Sequence, residues 1–407
     1  MSILASHHVL LLDHKEGDGG GGGRYLVNLV QSLVQTRCRV DVAFLLACDD
    51  RCLRMELQEL GANVHEISHD EIRPREVAAW LNDFLNSSDI DVLHVNWGGP
   101  VMRDCLAAWD VDQPWRGKRI YTLHGPLESR ASLASWTWRD RLPFSWRRKK
   151  RRRLASFFKA FDHVISVSKR NAEDALRLYR LDPARLSVVP NGVDVDKFTP
   201  RQSDGADATA VPIRIGTCGR LSVQKRLDVL LRAFAGLPAR RDLELHIAGS
   251  GPEEGSLRRL ADELAVGDRT FFCGHVSDVA GFLQGLDIYV MTSEREGLPY
   301  ALLEAMACGL PSVVTDVNEL PDIIRHGSDG FVIPVDDVAA CQQRMLELAQ
   351  QPGLRAGMGD NARKRACDHF SQGQWQARTL SVYEKFLDLA DGSRKFTEAA
   401  VVPSELG

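Results

Sequence analysis

Two carboxylates eight residues apart carry the clearest chemistry in this chain. In "TSEREGLPYALLEAMACGLPSVVTD", residues 292–316, Glu296 precedes Gly297, Leu298 and Pro299, and Glu304 falls inside the apolar run that follows. Proline is favoured at the first helical position, where its missing N–H is no loss, so Pro299 predicts a helix start there. At 3.6 residues per turn Glu304 stands about one and a half turns in, with Glu296 at the helix mouth beside the N–H groups of Gly297 and Leu298. A helix amino end offers unpaired N–H groups and a partial positive charge, and an ionised carboxylate only accepts hydrogen bonds. Together they suit a nucleotide sugar, with phosphate oxygens on the amides and the sugar and ribose hydroxyls on the two carboxylates. Read more plainly, Glu296 is a cap and Glu304 a solvated helix residue.

The positive charges for such a ligand come from "GTCGRLSVQKRLDVLLRAF", residues 216–234, which sets Arg220 and Lys225 between a strand and a helix. In a parallel sheet the strand carboxyl ends form the ligand crevice. Two cations held there can neutralise a diphosphate leaving group without a metal. Their other reading is as ordinary surface cations, although cations disfavour a helix start unless an anion is near.

A second group lies in the first half. "EGDGGGGGR", residues 16–24, precedes the helical pattern "YLVNLVQSLV". The run satisfies the dinucleotide pattern G-x-G-x-x-G, as any glycine homopolymer would, and begins four residues after the strand rather than turning tightly out of it. What remains is a backbone with no side chains at a helix start, either a cradle for an anion or a plain linker. His124 ends "RIYTLH", at a strand carboxyl end, where a tunable ring suits contact with a sugar or proton handling. Arg147 to Arg153 are seven consecutive cations flanked by Trp136, Trp138, Trp146, Phe157 and Phe158. Charge bracketed by aromatics is the pattern of a segment that lies on an anionic membrane surface; the alternatives are a solvated helix face or nucleic acid.

The elements that position these residues alternate along the whole chain. Strand candidates in the first half are "HVLLLD", "RVDVAFLL", "ANVHEI", "DVLHVNW", "RIYTLH", "DHVISVS" and "LSVVP". In the second half they are "PIRIGTC", "LELHIAG", "RTFFCG", "DIYVMTS", "PSVVTD" and "GFVIP". Apolar runs of this length separated by amphipathic segments are βα units around parallel sheets. Polar, small "RQSDGADATAVP" reads as a linker over residues 201–212, so the expectation is one α/β domain over 1–200 and a second over 213–375. Helical pattern without a strand continues to about residue 389, and a frayed tail follows from 391.

With 407 residues the chain is long enough for two such cores, and 51 Lys and Arg against 55 Asp and Glu leave a net charge of −4. No global basic field calls for nucleic acid, which is not an expected partner. The nine cysteines lack a C-x-x-C pair and read as buried thiols in a reducing cytoplasm. No apolar stretch approaches a membrane span, so the expected location is cytoplasmic, on or near the inner face of the membrane. D-x-D triplets at Asp89–Asp91, Asp110–Asp112 and Asp194–Asp196 are scattered and read as turn chemistry, so no cofactor or metal is expected.

In their joint order, "GGGGGRYLVNLVQSL", "THGP", "ISVSK", "VVPNGVDVDKF", "GRLSVQK", "HIAGSGP", "FFCGH" and the E-x7-E of "EGLPYALLE" resemble the retaining glycosyltransferases of family 4, group 1 type. The resemblance runs over roughly residues 8 to 390. It implies the GT-B fold: two Rossmann-like doubly wound domains with a cleft between them, the second binding the nucleotide sugar, and a helix at 376–390 crossing back to the first. It also implies roles. Arg220 and Lys225 would hold the donor diphosphate, Glu304 the ribose, and Glu296 and His124 the donor sugar; Gly21, Gly22 and Gly23 would approach the phosphate or sugar. The implied activity is transfer of a sugar from a nucleoside diphosphate to a hydroxyl of a glycan or lipid-linked acceptor. "GLP" after Glu296, where "GFG" is common, leaves the donor sugar open. A nucleotide-sugar isomerase or hydrolase of the same shell, or a binding scaffold without catalysis, are the rival readings.

Overall fold

The structure is a computed structural model that describes residues 3–14, 21–45, 51–67, 72–96, 100–109, 115–125, 144–201, 212–238 and 242–388. Residues 17–20 of the glycine run, Trp136, Trp138, the centre of the expected linker and the tail from 391 lie outside them.

All thirteen apolar runs form strands. They are β1 (His8–Asp13), β2 (Arg39–Phe44), β3 (Asn63–Glu66), β4 (Val92–Val95), β5 (Lys118–Leu123), β6 (His163–Ser166), β7 (Leu186–Val188), β8 (Ile213–Cys218), β9 (Leu243–Ala248), β10 (Thr270–Gly274), β11 (Ile288–Met291), β12 (Ser312–Thr315) and β13 (Gly330–Ile333). The first seven make one parallel sheet in the order β3-β2-β1-β4-β5-β6-β7, and the last six another, β10-β9-β8-β11-β12-β13. Every residue of β1, β4, β6, β11 and β12 is buried. Strands covered on both faces are why these segments read as unbroken apolar runs instead of alternating ones.

The chain divides into two compact units, one of Met1–Pro190 with Trp375–Gly407 and one of Asn191–Gln374. In the first, Leu10, Leu12, Leu93, Val95, Leu123 and Val164 pack with Leu81, Leu154 and Phe158 from the covering helices. In the second, Ile215, Leu245, Ile247, Val290 and Val313 pack with Leu230, Phe234, Met345 and Leu348. The last helix, Gln372–Asp388, belongs to the first unit from Trp375 onward, and there Trp375, Tyr383 and Leu387 are buried.

Strand order reverses direction between β1 and β4 in the first sheet and between β8 and β11 in the second. At such a reversal the two flanking connections leave on opposite faces of the sheet and open a crevice beyond the strand carboxyl ends. Candidate site residues in both units sit beyond those ends.

Candidate functional site

In the second unit the site is built on the turn after β8. Gly219 takes φ +146°, and a single helical turn at Val223–Lys225 precedes Arg226, which takes φ +48°. A non-glycine residue in that region is strained and must be held by its surroundings. The Arg226 guanidinium pairs with Asp228 and Asp336, and the Thr292 hydroxyl, at the end of β11, donates to the carbonyls of Lys225 (3.2 Å) and Arg226 (2.9 Å). Lys225 is thereby fixed at the switch point. Its Nζ lies 2.6 Å from Glu296 Oε1, which also accepts from Ser293 Oγ at 2.6 Å. Thr217, Gly219, Arg220, Lys225, Thr292 and Ser293 line one concavity, with Arg220 exposed at its rim.

The loop after β9 supports this turn by backbone contact. Leu221 N–H donates to the Ser250 carbonyl at 2.9 Å, and Glu253 N–H to the Leu221 carbonyl at 3.0 Å. A Cβ on Gly249 (φ +128°) would fall 1.8 Å from the Gly219 carbonyl oxygen, and one on Gly251 2.3 Å from that of Leu221. Only glycines allow so close an approach, so "AGSGP" is the seat of the Arg220 turn. In the sequence "HIAGSGP" carries only the family resemblance.

Glu296 is 7% exposed, and the residues after it, Gly297 and Leu298, form a bend rather than a helix start. Pro299 has ψ 123° and caps the helix Tyr300–Ala307, so the helix starts one residue later than its proline predicts. Two side-chain amides hold the segment in place: Asn318 Nδ2 donates to the Glu296 carbonyl at 2.6 Å and Asn191 Nδ2 to that of Leu298 at 2.8 Å. Leu298 is buried and Gly297 partly so. Glu304, half-buried, lies near the end of β8: burial pushes the Cys218 thiol up to about 12, and the Glu304 charge pushes it the same way. The structure therefore brings Arg220, Lys225, Glu296 and Glu304 to the ends of β8 and β11. It also adds Ser293, three residues before Glu296, and Asn191, Gly249 and Gly251, whose partners are remote in sequence.

In the first unit Gly21, Gly22 and Gly23 are the first three residues of the helix Gly21–Gln35 rather than a loop ahead of it. Their N–H groups belong to the first turn, where no partner exists within the helix. Tyr25 follows, fully buried, with its ring edge-on to His124 (centroids 4.6 Å apart) and to Trp375 (5.3 Å). The Tyr25 hydroxyl lies 3.3 Å from Thr122 Oγ1, which is 2.7 Å from His94 Nε2, and His94 Nδ1 bonds to the Tyr383 hydroxyl. His124 Nε2 lies 3.0 Å from Asn96 Oδ1, and Asn96 Nδ2 donates to Asp13 Oδ2 at 2.6 Å. Burial lowers His124 to about 4, against a hydrogen bond with the Asn96 backbone that favours the charged ring. The ring is neutral at neutral pH.

Of the basic run, Arg152 and Arg153 are exposed on the helix Phe144–Lys159, with Leu154 and Phe158 buried beneath. Among the described cysteines Cys38, Cys105, Cys308 and Cys341 are buried, while Cys273 is exposed, contrary to the reading of the set as buried thiols. Cys273 stands on β10, an edge strand, where one side chain in two faces outward. No helix among the described residues is long and apolar enough to cross a membrane.

Comparison with known proteins follows the same division of the chain. Residues 208–365 match the family model described as glycosyl transferases group 1, and residues 19–197 that of glycosyltransferase family 4. The MMP alpha-(1->4)-mannosyltransferase of Mycolicibacterium hassiacum is 31% identical over 313 residues, 73% of this chain and 71% of that protein. The D-inositol 3-phosphate glycosyltransferase 2 of Catenulispora acidiphila is 27% identical over 425 residues, 95% of each chain. The solved structure of Anabaena HepE in complex with UDP shares the fold at a TM-score of 0.75 and 18% identity, over 93% of this chain and 100% of that one.

Proposed function

The chain belongs to glycosyltransferase family 4, and on that premise we propose that it transfers a sugar from a nucleoside diphosphate to a hydroxyl acceptor with retention of anomeric configuration and without a metal. Its fold is GT-B and its activity that of a glycosyltransferase. The observation that carries the finer reading is the contact of Lys225 with Glu296 at 2.6 Å, beside Arg220, at the switch point of the second sheet. A cation for the diphosphate and an acceptor for the sugar hydroxyls then stand side by side, as a sugar linked directly to that diphosphate requires.

In this reading Arg220 and Lys225 take the diphosphate, and Glu304 takes the ribose. Glu296 and His124 take the transferred sugar, and the amides of Gly297, Leu298 and Gly21–Gly23 take the remaining phosphate or sugar oxygens. The bond from anomeric carbon to phosphate oxygen breaks as the acceptor oxygen bonds on the same face, and the leaving phosphate receives the acceptor's proton. Electrostatic stabilisation of that leaving group by the two cations supplies much of the barrier reduction. HepE has been solved with UDP, which makes UDP-sugars the first donors to try. The acceptor we assign is a glycan or lipid-linked glycan of the cell surface, made at the inner face of the membrane. Support comes from the cations of Phe144–Lys159, each worth about 1 kcal/mol near an anionic leaflet.

A thermal-shift panel of UDP-, GDP- and ADP-sugars, with and without EDTA, tests the donor, because a ligand that binds the folded state raises its melting temperature. Transfer followed by NMR of the product's anomeric centre tests retention. Donor turnover without acceptor, at the rate of any transfer, would point instead to a hydrolase or isomerase. Loss of activity in EDTA with rescue by manganese would overturn the metal-free reading.

A further inference from the structure

We propose that Asp13, acting through Asn96, is a positioning residue that fixes His124 as its Nε2–H tautomer and so makes Nδ1 the ring's hydrogen-bond acceptor. The three residues lie beyond or at the carboxyl ends of β1, β4 and β5, which are neighbours in the sheet in that order. Asp13 is 1% exposed and Asn96 fully buried. Asp13 Oδ1 accepts from the His14 N–H at 2.7 Å, and Oδ2 lies 2.6 Å from Asn96 Nδ2.

Donors and acceptors decide the tautomer. An ionised carboxylate has no proton to give, so the Asn96 amide must turn its NH2 toward Asp13. That leaves the amide oxygen, also an acceptor only, facing His124 Nε2 at 3.0 Å. The ring must then carry a proton on Nε2, since the other tautomer would set a lone pair against a lone pair. A neutral ring has one such proton, so Nδ1 has none. A neutral amide without the carboxylate behind it could turn either way, and the tautomer would no longer be determined.

A carboxylate is an expensive way to fill this position. Burial raises Asp13 to about 6, against the hydrogen bonds of Asn96 and His14. Among the described residues no cation pairs with it. A buried charge retained without a salt bridge calls for a use, and fixing the proton on a neighbouring ring is one. For the transfer reaction this means that His124 meets the sugar as an acceptor, taking a hydrogen bond from a hydroxyl instead of giving one to an oxygen. This last step rests on the assignment of His124 to the transferred sugar made above.

The test uses the full chain with 15N- and 13C-labelled histidine, the His124 signals being identified by their loss in His124→Gln. In the wild type the ring shows the Nε2–H tautomer. In Asp13→Asn, with folding checked by its melting curve, the signature becomes that of Nδ1–H or of a mixture. Asn96→Leu, which removes the relay by another route, does the same. For Asp13→Asn kcat falls about ten- to a hundredfold, by analogy with the outer partners of metal-ligating histidines, while affinity for the nucleoside diphosphate stays at the wild-type level. An Nδ1–H ring in the wild type, or a tautomer unchanged in both Asp13→Asn and Asn96→Leu, overturns the proposal. The tautomer is read without ligand, so it stands apart from the functional assignment. Should the relay behave as described while His124→Gln keeps full transfer, the role of His124 at the sugar falls and the relay does not.

Discussion

Lys225 is asked to serve two anions. In the structure its ammonium lies 2.6 Å from Glu296, and the proposed function gives the same ammonium to a diphosphate. The two demands are compatible only if the lysine sits between them, its attraction for the phosphate reduced by the carboxylate it already faces. Glu296→Gln should therefore bind the free nucleoside diphosphate more tightly, by about three- to tenfold, while transfer slows by about a hundredfold because a sugar contact is weakened. Calorimetric titration and kcat measured on the same preparation check both signs. Lys225→Ala works in the other direction: Glu296, 7% exposed, keeps Ser293 but loses its charge partner. Stability should fall by about 1–3 kcal/mol, less than for a wholly buried pair because the Lys225 side chain is 24% exposed, and denaturant unfolding would read it.

At the scale of elements, the glycines after β9 are more demanding than those of the glycine run. Gly249→Ala would combine φ +128° with a Cβ 1.8 Å from the Gly219 carbonyl oxygen, so the β8 and β9 turns would have to separate. The expected loss is at least about 2 kcal/mol of stability, together with most of the affinity for nucleoside diphosphate. Gly353→Ala, inside the helix Pro352–His369 where a Cβ meets nothing within 4 Å, serves as the control: stability should not fall and the affinity should be unchanged. For the helix Phe144–Lys159, replacing Arg147–Arg153 by glutamine should abolish sedimentation with vesicles containing phosphatidylglycerol and leave transfer to a water-soluble acceptor unaltered. Binding that ignores the lipid's charge would count against the membrane assignment. Strands such as "DVLHVNW" and "DIYVMTS" were legible in the sequence because burial on both faces writes them as apolar runs. The contacts that make the site were much less so. Asp13 closes the strand candidate "HVLLLD", where the sequence gives it no task, and its partner Asn96 lies 83 positions away. Only the order β1-β4-β5 brings them together, and spacing along the chain carries no record of strand order. Pro299 misleads by one residue for a similar reason, since Asn191, 107 positions from Leu298, helps hold the bend ahead of it.

Taken whole, the molecule should be sensitive to mild acid. Burial lowers His94 to about 3, His124 to about 4 and His163 to about 4, from an ordinary 6.5. Between those values and 6.5 the unfolded chain holds protons that the folded one does not, so each histidine costs stability as pH falls through that window. Asp13 works the opposite way: raised from 3.8 to about 6, it keeps a proton in the folded state that the unfolded chain has released. Near pH 5 the three histidines outweigh the aspartate, and unfolding should take up about two protons net from these four groups. Urea unfolding at pH 7 and pH 5 should show the lower stability at pH 5, and Asp13→Asn should alter the difference.

The first unit is not continuous along the chain: its sheet and first helices come from residues 8–190, but Trp375 and Tyr383, which close on Tyr25 and His94, come only after all of Asn191–Gln374. During synthesis on a ribosome, the half that emerges first must therefore wait, with an apolar seat uncovered, until the other half has been made. A chain halted at Gln374 should be retained by chaperones or aggregate. Adding back a peptide of residues 372–388 should rescue its solubility if that seat is the cause.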